Sequence, residues 1–331
     1  MKTLIRTFFA LTLITTLTLA NTVLSAEKEK VVFAQFGQEK FLLYLPLYIA
    51  MEEGLFAKRG LDVDLKFAGN DDQIFAAVMA GGADFGVGDP AFVAVSKEKG
   101  GPGKVIALMI TKLGLSGYTN KPDLGEIKDL KQLNGLRISS FPQPSTTYTL
   151  LSEIKKTAPD LQIVQAAFGA QLATLEAGKV DMAIDFEPMV SVAEDKGYKI
   201  VLDVEKYTEP QAVTGITTTE DVIKNKPEAV QKTVDALQEA MTLLYTDHQV
   251  AMRTAKKLFP NLKESVIKAA IDRMLAKEMY PKSVVMTDDY WQRSLKTRMD
   301  SGDLKKAQST DMAVDNSFAM KAQPKPKAEK P

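Results

Sequence analysis

The 331 residues carry 42 basic and 42 acidic side chains and therefore no net charge, which argues against nucleic acid as a partner. There is no cysteine and a single histidine, His248. That excludes disulfides, thiol nucleophiles and cysteine metal sites, and nearly excludes zinc sites and Ser-His-Asp triads, so neither cofactor nor metal is expected.

From the amino terminus, Lys2 and Arg6 precede an apolar run over 8–19, and the small residues Ser25 and Ala26 follow. This is the pattern of a signal peptide over 1–26 that is cleaved on export to the periplasm. The run falls short of the roughly 20 residues a membrane span needs. A first strand is expected over 31–34, and Gln35, Phe36, Gly37 and Gln38 form a polar, aromatic turn where the chain would meet a ligand. For Tyr44 and Tyr48 core packing is preferred over a place along a cleft, because aromatics at helical spacing usually serve the core.

The stretch 46–90 alternates helical and strand periodicities within one short window. Pro46 suits the first turn of a helix, and Gly60 stops a helical turn over 55–59. Leu61, Val63, Leu65 and Phe67 alternate with Asp62, Asp64 and Lys66, as in a half-buried strand. Asn70 and Gln73 have capping-box spacing for a helix over 71–80 that Gly81 and Gly82 end. A strand over 83–88 follows, and Asp89-Pro90 begins a helix running to about residue 97. Strand, helix, strand in this order implies a parallel sheet, whose ligand site lies beyond the carboxyl ends of its strands. That directs attention to Asn70, Asp71 and Asp89.

The segments PLYIAMEEGLF, GLDVDL and AAVMAGGADFGVGDP, in this order and spacing, resemble the amino-terminal lobe of periplasmic substrate-binding proteins of ABC importers. The branch resembled handles nitrate, sulfonates, taurine and thiamine-pyrimidine precursors. The resemblance implies an α/β fold of two lobes, the type 2 periplasmic-binding-protein fold, each lobe a parallel-rich sheet flanked by helices and the two joined by a two-stranded hinge. Lobe one would be 27–117 with 213–320, lobe two 118–212, and 321–331 a disordered tail of proline and charge.

Residues 105–110 read as a strand buried on both faces, and 115–120 as the exit from lobe one. The block 123–141 resembles the family's entry into lobe two, with a short helix at 130–133, the turn Asn134-Gly135 and a strand over 136–139. Next, SSFPQPSTTYTLLSEI crowds Ser145, Thr146 and Thr147 at a helix start, where free amides and the positive dipole end suit an anionic or accepting group. A plain Ser/Thr N-cap is the competing reading. The resemblance favours the site, because related proteins place ligand contacts on this loop. Strands follow over 162–166 and 180–185, with a helix from Phe168 to Gly178 between them. LEAGKVDMAIDFEP resembles the family's strand and Glu-Pro turn near the cleft. There Asp185 is read as a turn or cap carboxylate and Glu187 as a ligand contact. The chain crosses back over 212–218, and helices from Pro227, over 248–259 and over 263–276 would brace lobe one and carry few ligand contacts. Trp291 is read as a packing anchor, and His248 as a surface residue beside the N-cap Asp247.

These readings imply a monomeric extracytoplasmic solute-binding protein without enzymatic activity, which captures a small molecule by hinge closure and delivers it to an ABC importer permease. The ligand residues expected in lobe one are Gln38, Asn70, Asp71 and Asp89. In lobe two they are Ser139, Ser140, Ser145, Thr146, Phe168 and Glu187. Alanine at Ser145 or Glu187 is expected to weaken binding without lowering the melting temperature. Hydroxyls at a helix start suit an anionic group and the acids suit N–H donors, so a zwitterionic or heteroaromatic organic solute fits both, and bare nitrate or sulfate fits poorly. Two alternatives stand. One is an enzyme on this fold, resembling hydroxymethylpyrimidine phosphate synthases, whose cysteine-rich motif and active-site histidine are missing here, or chorismate-type dehydratases. The other is a ligand-sensing subunit for a sensor kinase.

Overall fold

The computed structural model describes residues 27–143 and 145–323, so the expected signal peptide and the end of the tail lie outside the described residues. Ten strands build two sheets of the same plan: β1 (Glu29–Phe36), β2 (Leu61–Gly69), β3 (Phe85–Gly88), β4 (Lys104–Ile110), β5 (Ser116–Thr119), β6 (Arg137–Ser140), β7 (Gln162–Gln165), β8 (Ala183–Asp185), β9 (Lys199–Asp203) and β10 (Thr214–Thr218). The first sheet has the order β2-β1-β3-β10-β4. β1 runs parallel to β2 and β3, while β10 runs antiparallel to both β3 and β4. In the second, β8-β5-β9 and β6-β7 are joined by a parallel bridge between Ile138 and Met182. Again β5 runs antiparallel to its neighbours. Each sheet therefore has four co-directional strands and one reversed strand. The reversed strand is the one the chain forms on arriving from the other lobe.

The expected strands are present with shifted ends, and two expectations are corrected. Residues 115–120 and 212–218 are read from the sequence as connections, yet both enter sheets, as β5 and β10. β9 and the helix Met189–Asp195, which carry no strong periodic signal, complete the second lobe. The hinge segments then lie between β4 and β5 and between β9 and β10. Close approach fixes β10 against β3: a Cβ on Gly86 would stand 2.5 Å from Thr217 Oγ1, so only glycine fits there.

In β4, Val105 through Ile110 are all buried, as a strand covered on both faces requires. The helix Pro227–Thr246 buries Val230, Val234, Leu237, Met241 and Leu244, its apolar stripe. Trp291 is fully buried with Val105, Leu108, Met286 and Leu295, a packing anchor. Asp247 Oδ1 accepts the Gln249 N–H at 3.0 Å, the cap read beside His248. Lys321 and Ala322, placed in the disordered tail by composition, end the helix Ser317–Ala322.

The carboxyl-terminal helices do more than brace. Glu264–Ala276 packs on Met189–Asp195 of the other lobe, and charged pairs run along the join. Lys263 meets Asp195 at 2.7 Å, Arg273 meets Glu194 at 2.6 Å and also Glu187, and Lys277 meets Asp203 at 2.7 Å. The cations come from lobe one and the carboxylates from lobe two. Among the described residues no helix is long and apolar enough to cross a membrane.

Candidate functional site

The carboxyl ends of β1, β2 and β3 face those of β6, β7 and β8 across a cleft, as the strand-end rule requires. At its centre a cavity of about 30 Å³ is lined by both lobes and both hinge segments. Tyr44, Asp71 and Asp89 come from the first lobe, Ser145, Thr146 and Phe186 from the second, and Leu113 and Val213 from the hinge. That is room for on the order of two water molecules, so the lobes stand closed.

Asp71 opens the helix Asp71–Met79, where the dipole favours a carboxylate, and its Oδ1 accepts the Asp89 N–H at 2.8 Å. Gly88 makes this possible: a Cβ there would stand 2.6 Å from Asp71 Oδ1. Burial, then the neighbouring Asp89 charge, push the Asp71 carboxyl up from its usual range. Asp89 Oδ1 accepts the Ala91 N–H at 2.8 Å, and Oδ2 accepts from Arg298 and, at 3.3 Å, from the Thr146 hydroxyl of the other lobe. Asp89 and Arg298 are both almost completely buried, and the Arg298 guanidinium lies 4.7 Å from the Phe92 ring centre.

At the helix start read as an anion site, the Thr146 hydroxyl is therefore already taken by a carboxylate of the protein itself. Ser145 Oγ caps the helix Thr146–Ile154 by accepting the Tyr148 N–H at 3.2 Å, and Thr146 donates to Asp89. The capping hydrogen bond is present, and in the closed form the Thr146 hydroxyl of this loop is held by Asp89.

Five phenyl rings wall the cleft on either side of the central cavity. Phe36 and Phe41 come from lobe one, and Phe141, Phe168 and Phe186 from lobe two. Phe41 packs on Phe168 at 5.1 Å and on Phe186 at 5.8 Å, crossing between lobes. Phe141 stacks on Phe186 at 5.1 Å with ring planes 5° apart, and on Phe168 at 4.9 Å. On one side of the wall Gln38, Asn70 and Phe168 line a space of about 220 Å³. On the other, Glu39, Phe168, Asp185 and Glu187 share about 270 Å³ with the loop 258–262.

Three expectations need correction. Ser139 and Ser140 do not reach the cleft. The Ser139 hydroxyl accepts the Ile184 N–H at 3.1 Å and the Ser140 hydroxyl donates to the Phe141 carbonyl at 3.0 Å, which ties β6 to β8 and turns the chain at its end. Glu187 does not present a free carboxylate. Its Oε1 is paired with Arg273 and its Oε2 accepts the Ser191 N–H at 3.0 Å. Asp185 has no basic partner among the described residues: it accepts the Phe186 N–H at 2.9 Å and the Tyr118 hydroxyl at 3.3 Å. Burial pushes it up to about 7, with the charges of Glu187 and Glu39 adding to the effect.

Sequence reasoning missed Arg298, Arg273 and three of the five phenylalanines of the wall, Phe41, Phe141 and Phe186; Phe36 it placed in a turn meeting the ligand and Phe168 in the site. Tyr44, assigned to the core, is fully buried and lines the cavity as well. The phenylalanines carried a signal, since Phe36, Phe141, Phe168 and Phe186 each follow the end of an expected strand. The arginines carried none.

A family model described as NMT1/THI5 like matches residues 43–251. No curated protein matches the sequence. Among solved structures the chain is similar to the nitrate-binding protein NrtA from Synechocystis PCC 6803, with TM-score 0.71 and 14% identity over 89% of this chain and 88% of that one. It is also similar to the alkanesulfonate-binding protein SsuA from Xanthomonas axonopodis pv. citri bound to MOPS, with TM-score 0.68 and 16% identity over 88% and 100%. The desulfurization enzyme DSZB shares the fold at TM-score 0.64 and 11% identity over 89% of this chain and 99% of that one.

Proposed function

The chain belongs to the NMT1/THI5-like family, and from that premise we propose that it is an extracytoplasmic solute-binding protein. It captures a small organic solute by hinge closure and hands it to the permease of an ABC importer. The observation that carries this is the Asp89–Thr146 contact over a central cavity lined by both lobes and both hinge segments. A solute held there touches both lobes at once, and only such contacts favour the closed form over the open one. The phenyl wall supports a ligand with a flat or apolar body, in keeping with a heteroaromatic or zwitterionic compound. Export to the periplasm as a monomer belongs to the same proposal.

Fold alone does not exclude catalysis. Native mass spectrometry on protein taken gently from its own periplasm separates the readings. One compound bound one to one and released unchanged after incubation with fresh protein supports transport. A compound returned chemically altered overturns it and makes the cleft an active site.

A further inference from the structure

The central cavity has an unbalanced charge. Two carboxyls, Asp71 and Asp89, line it, and no basic side chain does. The cation nearby, Arg298, lies behind Asp89 and is divided between Asp89 and Asp303. Asp71 Oδ1 holds the Asp89 N–H, whereas Oδ2 makes no hydrogen bond among the described residues. The Asp71 residue is only 8% exposed. Oδ2 is not among the fully buried unpaired oxygens and keeps a face open to the cavity, where a cationic N–H donor would make a charge-assisted hydrogen bond.

From this we infer that the cleft takes an organic ammonium compound, its positive nitrogen donating to Asp71 Oδ2 beneath the rings of Phe36, Tyr44 and Phe186. The assignment rests on the solute-binding reading and narrows its ligand class. Rings at a cavity wall attract a cation through their faces, adding to the carboxylate. The small central space matches a head group, and the rest of the ligand would take room held by the phenyl wall in the closed form. An anion there meets two carboxyls: Asp89, which takes the Thr146 hydroxyl at the helix start of lobe two, and Asp71 beside it. This chain thus differs in the charge of the ligand expected from the proteins of the same fold described as alkanesulfonate- and nitrate-binding.

Around Asp71 the ionisable groups are Asp72 on its own helix and Tyr44, Asp89 and Arg298 from the elements packed against it. With Asp71 pushed up by burial, a bound cation draws its proton off, so ammonium affinity should rise as pH rises toward neutrality.

The test uses thermal shift and calorimetry on the mature protein with four probes at millimolar concentration: benzylammonium, benzyltrimethylammonium, benzoate and benzenesulfonate. Stabilisation by benzylammonium and by neither anion is expected, with Asp71→Asn weakening it at least tenfold; benzyltrimethylammonium, which has no N–H, should bind more weakly, and equal or tighter binding of it would overturn the hydrogen bond to Asp71. Asparagine keeps the Oδ1 acceptor for the Asp89 N–H, and should the variant fail to fold, the probe selectivity of the unaltered protein still decides. Stabilisation by an anion, by none of the four, or by an ammonium probe equally in Asp71→Asn overturns the assignment. A periplasmic compound recovered unchanged but lacking a basic nitrogen overturns this assignment alone. One returned altered overturns the solute-binding reading beneath it.

Discussion

Replacing Arg298 by methionine removes the guanidinium that faces two buried carboxyls. Arg298 and Asp89 have side-chain exposures of 3% and 6%, so solvent cannot take over the lost partner. Removing one member of a buried pair costs about 3–5 kcal/mol, most of it the penalty of leaving the other charge unpaired. The lost stacking on Phe92 adds about 0.5–1 kcal/mol or more. For a chain of this size the two together are a fall in Tm of roughly 7–12 °C, at about 2 °C per kcal/mol. Urea unfolding followed by the fluorescence of Trp291, the one tryptophan, reads it directly. The double variant Arg298→Met with Asp89→Asn removes both charges and keeps an oxygen for the Ala91 N–H, so it should recover to within about 2 kcal/mol of the parent. A cost below about 1 kcal/mol for Arg298→Met, or a double variant no better than the single, would refute the buried-pair account.

Three further outcomes follow from the same geometry. Asp185 is raised from 3.8 to about 7, so the native state binds more protons than the unfolded chain in that interval and the group's contribution to stability falls as pH rises through it. Asp185→Asn should therefore stabilise the protein at about pH 8 more than at about pH 5, with an upper bound of about 4 kcal/mol from 1.36 kcal/mol per unit; equal effects at both would refute the assignment. Ser145→Ala removes a helix cap and should cost about 1 kcal/mol in denaturant unfolding, contrary to the sequence-based expectation of unchanged melting. Gly88→Ala forces a Cβ to within 2.6 Å of Asp71 Oδ1 and 2.8 Å of Ile74, so it should destabilise by about 1–3 kcal/mol, and an unchanged unfolding midpoint would show that Asp71 can move aside.

Local signals in the sequence settled local structure. The capping pair Asn70 and Gln73, the stop at Gly60 with φ +77°, and the alternation over 61–67 each act within a turn or a strand, and each element is there. Strand ends then pointed to the right loops, so Asp71, Asp89, Ser145 and Thr146 meet around one cavity. The sequence could not tell which of their polar atoms are already taken. Ser139 and Ser140 look like cleft hydroxyls until β8 comes alongside β6 and uses the first of them. Glu187 looks free until a helix more than eighty residues later brings Arg273 to it. Arg298 sits 209 residues from Asp89 and near the end of a helix whose own pattern marks only its buried face. Periodicity reports which side of an element meets apolar surroundings, because burial repeats along the chain. The pairing of charges between distant segments has no period, and it exists only once the chain has folded, within a lobe for Arg298 and Asp89 and between lobes for Arg273 and Glu187.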